Sequence, residues 1–276
     1  MPPDNPIVTL LTDFGDSDPF VGIMKGVILS ISPGAHLVDL THQITPHSIV
    51  QAAVALEMTY SHFPPGTIHL AVVDPGVGTD RRALGCSAGK QFFLAPDNGL
   101  LTPILQTQPK FKIVSLEKSA YRLPKASRTF AGRDIFAPAA AHLANGLSLD
   151  SFGPQVSDPV LLNLPKPAFL EGCIEAHVLY IDRFGNCITD LREEEFESWR
   201  RQKGYSGAFV QAGSSPICGL SQSYGSAGLT AGAEAQGQNP LAIFSSSGRL
   251  EIAVNQGNAA QQLGLDIGDM IKVMPA

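Results

Sequence analysis

The stretch IVTLLTDFGDSDPFVGIMKGVILSISPGAHLVDL (7–40) sets two β-rich runs around one helical pattern, and its reading sets the fold class. IVTLLT (7–12), β-rich and mainly apolar, reads as a buried strand. Phe20, Ile23, Val27, Ile28 and Ile31 recur at three- and four-residue spacing and predict one apolar helix face. HLVDL (36–40) then reads as a second strand. Working outward, the pattern predicts a helix over 49–63 opened by Pro46, and a third strand at TIHLAVVD (67–74). QFFLAP, KIVSLE and the helical IFAPAAAHLANG continue the alternation. Repeated strand and helix predict an α/β N-terminal domain with a mostly parallel sheet covered by helices.

Pro154, Pro159, Pro165 and Pro167 punctuate a stretch with little periodicity and place a boundary near residue 167, giving domains 1–167 and 168–276. A length of 276 residues suits two such units. Beyond the boundary, CIEAHVLYID, NCITDL, AFVQAG, LAIFSS, RLEIAVN and MIKVMP are short β-rich runs. They predict a smaller, β-rich, barrel-like C-terminal domain interrupted by one helix, EEEFESWRRQ, whose charges face solvent. The segment 212–240, rich in Gly, Ala, Ser and Gln, reads as a flexible surface loop.

Composition narrows the function. The net charge is -6, against the basic face that phosphate-backbone binding requires, so nucleic acid is not an expected partner. Cys86, Cys173, Cys187 and Cys218 form no CxxC pair, which fits reduced thiols in a cytoplasm rather than a zinc site or disulfide framework. His36, His42, His47, His62 and His69 share no metal-binding spacing, so no metal is expected. The N-terminus carries no secretory pattern and no run reaches membrane-spanning length, so a cytoplasmic protein without membrane contact is expected.

Ligands of open α/β sheets lie beyond the carboxyl ends of strands. TDFGDSDPFVG leaves the first strand with Asp13, Asp16 and Asp18. A carboxylate at Asp13 can accept both hydroxyls of a ribose, whereas Asp18 reads as a helix cap. In VVDPGVGTDRR (72–82), Asp74 ends a strand and a glycine turn leads to Arg81 and Arg82, so that carboxylate and guanidinium can pair across the turn. A structural turn with a surface ion pair is the alternative. In RTFAGRDIFAPAAAHLANG (128–146), Arg133 and Asp134 read as helix-start charges, with Gly132 easing the turn.

Taken together, TDFGDSDPFVGIMKG, VDLTHQITPHSI, AVVDPGVGTDRR, APDNGLL, TFAGRDIFAPAAAHLA, IDRFGNCITDL and SSSGRLEIAVNQGNAA form an ordered set over nearly the whole chain. This set resembles the S-adenosyl-L-methionine (SAM) hydroxide adenosyltransferases, relatives of the fluorinase and chlorinase enzymes. The resemblance implies hydrolysis of SAM to adenosine and L-methionine by attack of water at the 5′ carbon, with no metal and no separate cofactor. It also implies a homotrimer whose sites lie between one subunit's N-terminal domain and a neighbour's C-terminal domain. By matching positions, Asp13 would hold the ribose hydroxyls, and His47 and Phe184 would flank the nucleoside. Asp182, Ser246 and Ser247 would meet the methionine end, and Asn186 with the Asn255 segment would bind adenine.

The family handles its water with an Asp, an Arg and a His. Asp74 and Arg81 match the first two, but the family's TFHGRD reads TFAGRD here, so Ala131 stands at the histidine position. A positioned acid-base group contributes ~100- to ~10,000-fold, so its loss implies slow turnover or a protein that binds SAM or adenosine without cleaving it. The halogenase alternative is disfavoured, because Asp74 would set a carboxylate where a halide must sit.

Overall fold

The computed structural model describes residues 5–226 and 239–276. The chain divides into two compact units, Met1–Asn163 and Leu164–Ala276, parting inside the proline-punctuated stretch.

In the first unit, β1 (Ile7–Thr12), β2 (His36–Thr41), β3 (Ile68–Val72), β4 (Ala83–Ala88), β5 (Gln91–Pro96) and β6 (Phe111–Ser115) form one sheet. Its order is β2-β1-β3-β5-β4-β6. The pairs β1–β2, β1–β3 and β3–β5 are parallel, and β4 lies antiparallel between β5 and β6. Helices α1 (Phe20–Ile31), α2 (Ile49–Tyr60), α3 (Thr102–Thr107) and α4 (Ala137–Ala144) cover it. Both faces are buried. Val8, Leu10, Leu70 and Val72 pack with Met24, Ile28 and the alanines of α4, while Leu11, Ala71 and Val73 pack with Leu56, Phe93 and Ile104. Alternate residues of one strand thus enter two cores, which is why β1 is mostly apolar and its threonines, Thr9 and Thr12, are buried as well.

Three local expectations are corrected. The buried face of α1 is Val21, Met24 and Ile28, whereas Phe20 and Ile23 are exposed. The helix starts after Pro19 with no side-chain cap, so Asp18 does not cap it, and Asp16 instead accepts from Gln43. Helix α2 ends at Tyr60 and is capped by Ser48, whose side chain accepts from the Gln51 N–H, rather than opening at Pro46.

The second unit contains β7 (Ala168–Phe169), β8 (Ile174–Ile181), β9 (Cys187–Arg192), β10 (Ala208–Ala212), β11 (Ser215–Cys218), β12 (Pro240–Phe244), β13 (Arg249–Val254) and β14 (Met270–Pro275). The order is β11-β10-β14-β8-β9-β13-β12, with β7 on β8 and every pair antiparallel. The Ser221 N–H donates to Ala242 O, so the chain leaving β11 meets β12 and the sheet nearly closes into a barrel. Helix α5 (Glu193–Lys203) turns Phe196 and Trp199 into this core and leaves its charges outward. A short α6 (Ala259–Leu263) follows β13. Part of the expected 212–240 loop is therefore strand β11, and residues 227–238 of it lie outside the described residues.

Candidate active site

Asp13 follows β1 directly and is half-buried. Its Oδ2 accepts the backbone N–H of His47 at 2.9 Å, tying the loop after β1 to the loop before α2. His47 adopts φ 70°, a left-handed backbone uncommon for a non-glycine residue, and its ring is exposed. Behind this pair, Thr12 Oγ1 and His42 Nδ1 lie 2.9 Å apart, and the Gly15 N–H donates to His42 O. The loop carrying Asp13 is thereby held at several points.

Asp74 lies just beyond β3, in the turn that runs to Arg81. The Arg81 Nε donates to Asp74 Oδ1 at 2.8 Å, and Arg81 Nη2 pairs with Asp74 Oδ2. With side chains 5% and 13% exposed respectively, Asp74 and Arg81 form a buried two-pronged pair rather than a surface one. Arg81 also donates to Arg82 O at 3.2 Å and lies 5.7 Å over the Phe136 ring. Gly78 makes the turn possible: its φ is 84°, and a Cβ there would lie 2.8 Å from Arg128 O. That close approach brings the segment before Ala131 against the turn.

Ala131 is 6% exposed and precedes a π-helical turn, Gly132–Phe136, that runs into α4. A Cβ on Gly132 would lie 3.0 Å from Met24 Sδ, so the bare glycine lets α1 come close. Arg133 and Asp134 pair at 2.6 Å, and Asp134, 1% exposed, also accepts the Ser127 N–H. Burial alone would raise the Asp134 carboxyl, but Arg133 and the Ser127 N–H outweigh it and hold the group below its ordinary value. Arg81 and Ala131 share the wall of a cavity of about 310 Å³, together with Arg82, Ser115, Arg122 and Ser127. Asp13 and His47 are not on that wall.

In the second unit, Asp182 organises the β8–β9 hairpin. Its Oδ1 accepts the N–H groups of Phe184 (2.8 Å) and Asn186 (2.9 Å), and its Oδ2 accepts Asn186 Nδ2 at 2.9 Å. Phe184 is consequently thrust outward, 74% exposed, while Asn186 is buried. Ser246 and Ser247 occupy the β12–β13 turn, the first exposed and the second half-buried, and Asn255 follows β13 half-buried.

Sequence reasoning named Arg82 but missed its partners, and it missed three further groups. Arg82 binds Asp97 (2.7 Å) and Asp158 (2.7 Å), carboxylates that hold its guanidinium above the ordinary value; partners so distant in sequence leave no local signal. Gly185, at φ 84°, could not carry a Cβ, which would lie 2.1 Å from Asn258 Cγ. Asn258 caps α6 through the Gln261 N–H, a signal present in the Asn before two alanines. Tyr224 and Glu251, which hydrogen-bond at 2.7 Å, were also missed. Among the described residues no group of three or more His, Cys, Asp or Glu is placed to hold a metal ion, and no helix is long and apolar enough to cross a membrane.

The two units therefore define a class: an α/β unit with carboxylates at its strand ends, joined to an antiparallel, nearly closed barrel. Residues 8–153 match the SAM hydroxide adenosyltransferase N-terminal domain, and residues 176–272 match the C-terminal domain of the same family. The chain belongs to the SAM hydroxide adenosyltransferase family. It is 39% identical to an (R)-S-adenosyl-L-methionine hydrolase of Thermus thermophilus, over 97% of this chain and 99% of that one. It is 25% identical to a fluorinase of Actinopolyspora mzabensis, over 97% of each chain. A conserved Thermotoga maritima protein of known crystal structure superposes with a TM-score of 0.87 at 33% identity, covering 97% of this chain and 99% of that one.

Proposed function

We propose that this chain hydrolyses SAM to adenosine and L-methionine. In the reaction, water oxygen bonds to the 5′ carbon, the carbon–sulfur electron pair returns to sulfur, methionine leaves as a neutral thioether and water loses a proton. The sulfonium is a good leaving group, so the demand falls on aligning a weak nucleophile. The observation that supports this reading is Arg81, held by the buried Asp74 and lining the cavity that Ala131 also lines, in a chain so similar to a named SAM hydrolase. Three hydrogen bonds fix the Arg81 guanidinium, and its remaining N–H groups are free to hold a water. Asp13 offers Oδ1 to the ribose while Oδ2 is held by His47. In this reading His47 and Phe184 flank the nucleoside, Asn186 and Asn255 meet adenine, and Asp182, Ser246 and Ser247 meet the methionine end.

Ala131 supplies neither donor nor acceptor, so turnover is slow, and a protein that binds SAM or adenosine without cleavage is the second reading. Incubation with SAM, with adenosine and methionine quantified beside Ala131→His, separates them. We expect the histidine variant to form adenosine ~100-fold faster or more. If it binds SAM and gains nothing, the water-handling role of this cavity is wrong. With fluoride or chloride added we expect no halogenated nucleoside.

The reading requires no metal or separate cofactor. It includes a homotrimer in which one copy's Asp13 and a neighbour's Asp182 serve the same substrate. Exposed Phe20 and Ile23, three residues apart on α1, give a second copy an apolar patch to cover. Light scattering on the purified protein tests that state. The four free cysteines fit a cytoplasmic location.

A further inference from the structure

Asp13 sits between residues that a single histidine holds on both sides. Before it, Thr12 Oγ1 lies 2.9 Å from His42 Nδ1; after it, the Gly15 N–H donates to His42 O at 2.8 Å. Thr12 Oγ1 also accepts the Phe14 N–H at 3.2 Å, so one hydroxyl spans Asp13 and meets the imidazole behind it. Either tautomer of the ring keeps this contact, because a hydroxyl can donate or accept. Thr12 is fully buried and His42 is 6% exposed, which shields the contacts from competing water.

The fold brings His42 there by breaking a register. β2 follows β1 from Ile7 opposite His36 to Leu10 opposite Asp39, but Leu11 then meets Thr41, so β2 gains one residue just before it ends. Such an extra residue re-aims the chain beyond it. The ring's other nitrogen, Nε2, lies 3.0 Å from Asp39 Oδ1, and Lys25 donates to the second oxygen of that carboxylate at 2.6 Å. The imidazole is therefore fixed between Asp39 of β2 and the last hydroxyl of β1. Asp13 has no contact of its own with the ring: its Oδ2 accepts the His47 N–H, and its Oδ1 has no hydrogen bond among the described residues. The direction of that open oxygen is set by the backbone from Thr12 to Gly15, which His42 holds at each end.

We propose that His42 is a positioning residue for ribose recognition, holding the loop on both sides of Asp13 so that Oδ1 faces the vicinal hydroxyls of the nucleoside. This rests on the proposed reading in which Asp13 holds the ribose. A carboxylate displaced by a fraction of an ångström keeps its charge but no longer meets both hydroxyls in good geometry. His42→Leu removes the ring while leaving an apolar side chain in its place. Thr12→Val removes only the hydroxyl and carries the test where the histidine variant folds poorly, whereas Thr12→Ser keeps the hydroxyl.

The test is calorimetric titration of wild type, these variants and Asp13→Ala with adenosine and with 2′,3′-dideoxyadenosine, which lacks the two hydroxyls. We expect His42→Leu and Thr12→Val to lose roughly tenfold or more in adenosine affinity and to bind the dideoxynucleoside as wild type does. Thr12→Ser should stay near wild type, and in an Asp13→Ala background the other two substitutions should cost adenosine nothing further. In an Ala131→His background His42→Leu should raise KM for SAM more than it lowers kcat. If Asp13→Ala weakens adenosine binding but His42→Leu and Thr12→Val do not, the inference is overturned. An equal loss for both nucleosides also overturns it, because that marks a merely structural role. Asp13→Ala with unchanged adenosine affinity overturns the ribose reading itself, and this inference with it.

Discussion

In the proposed reading, Arg81 serves stability and chemistry together. Its guanidinium is clamped by both oxygens of Asp74, by a backbone carbonyl and by the face of Phe136. Removing it leaves the Asp74 carboxylate buried and unpaired, so Arg81→Ala is expected to lose about 3–5 kcal/mol of stability, read from a denaturant melt. Arg81→Lys keeps the charge but not the planar fork, and it should melt closer to wild type while remaining catalytically poor even beside Ala131→His. A lysine variant that turns over like its parent would remove Arg81 from the water-handling role. This pair was legible in sequence because carboxylate and guanidinium flank one glycine turn. The Arg82 network was not, since Asp97 and Asp158 reach it only through the fold.

At the scale of elements, legibility depended on how well periodicity could choose a face. In FVGIMKGVILSI nearly every position is apolar, so the spacings 20, 23, 27 and 21, 24, 28 both satisfy a helix, and only packing on the sheet selects the second. Strand β4, ALGCSA, lacks the β-branched and aromatic residues that mark strands. Its pairing with β5 is instead made by Gly89 and Lys90, both at positive φ, the backbone of a tight hairpin turn. The turn from Asp74 to Arg81 uses the same freedom at Gly78. Gly78→Ala combines a left-handed backbone with a Cβ 2.8 Å from Arg128 O, so the turn and the segment leading to Ala131 must separate. The expected outcome is a loss of 1 kcal/mol or more, on the order of the glycine penalty, with the SAM turnover of the Ala131→His enzyme falling further than its adenosine affinity. Turnover unchanged by the added methyl would show that this close approach does not position the turn proposed to handle water.

For the whole molecule, the two-unit plan and the alternation of strand and helix were readable, while strand order was not, because β4 enters the sheet against the direction of its neighbours. What sequence patterning also could not show is that the first unit closes around a neutral histidine. His69 is fully buried, with Nδ1 2.8 Å from Thr9 Oγ1, its ring stacked on Phe93 and the edges of Tyr60 and Phe63 against it. Burial pushes its pKa down to about 4, and Gln91 pulls the other way by less. Unfolding exposes an imidazole that titrates near 6.5, so the unfolded chain takes up the proton first. The stability this group contributes is complete above about pH 6.5, drains as pH falls toward about 4, and changes no further once both states are protonated. His142, also lowered by burial, adds in the same direction. The full span for His69 corresponds to about 3 kcal/mol as an upper value. Urea midpoints taken at pH 7 and pH 4.5 should therefore differ markedly in the native chain and much less in His69→Phe, whose lower baseline stability does not matter to the comparison. Equal pH dependence in both proteins would show that protonation elsewhere, among paired carboxylates such as Asp134, governs acid unfolding instead.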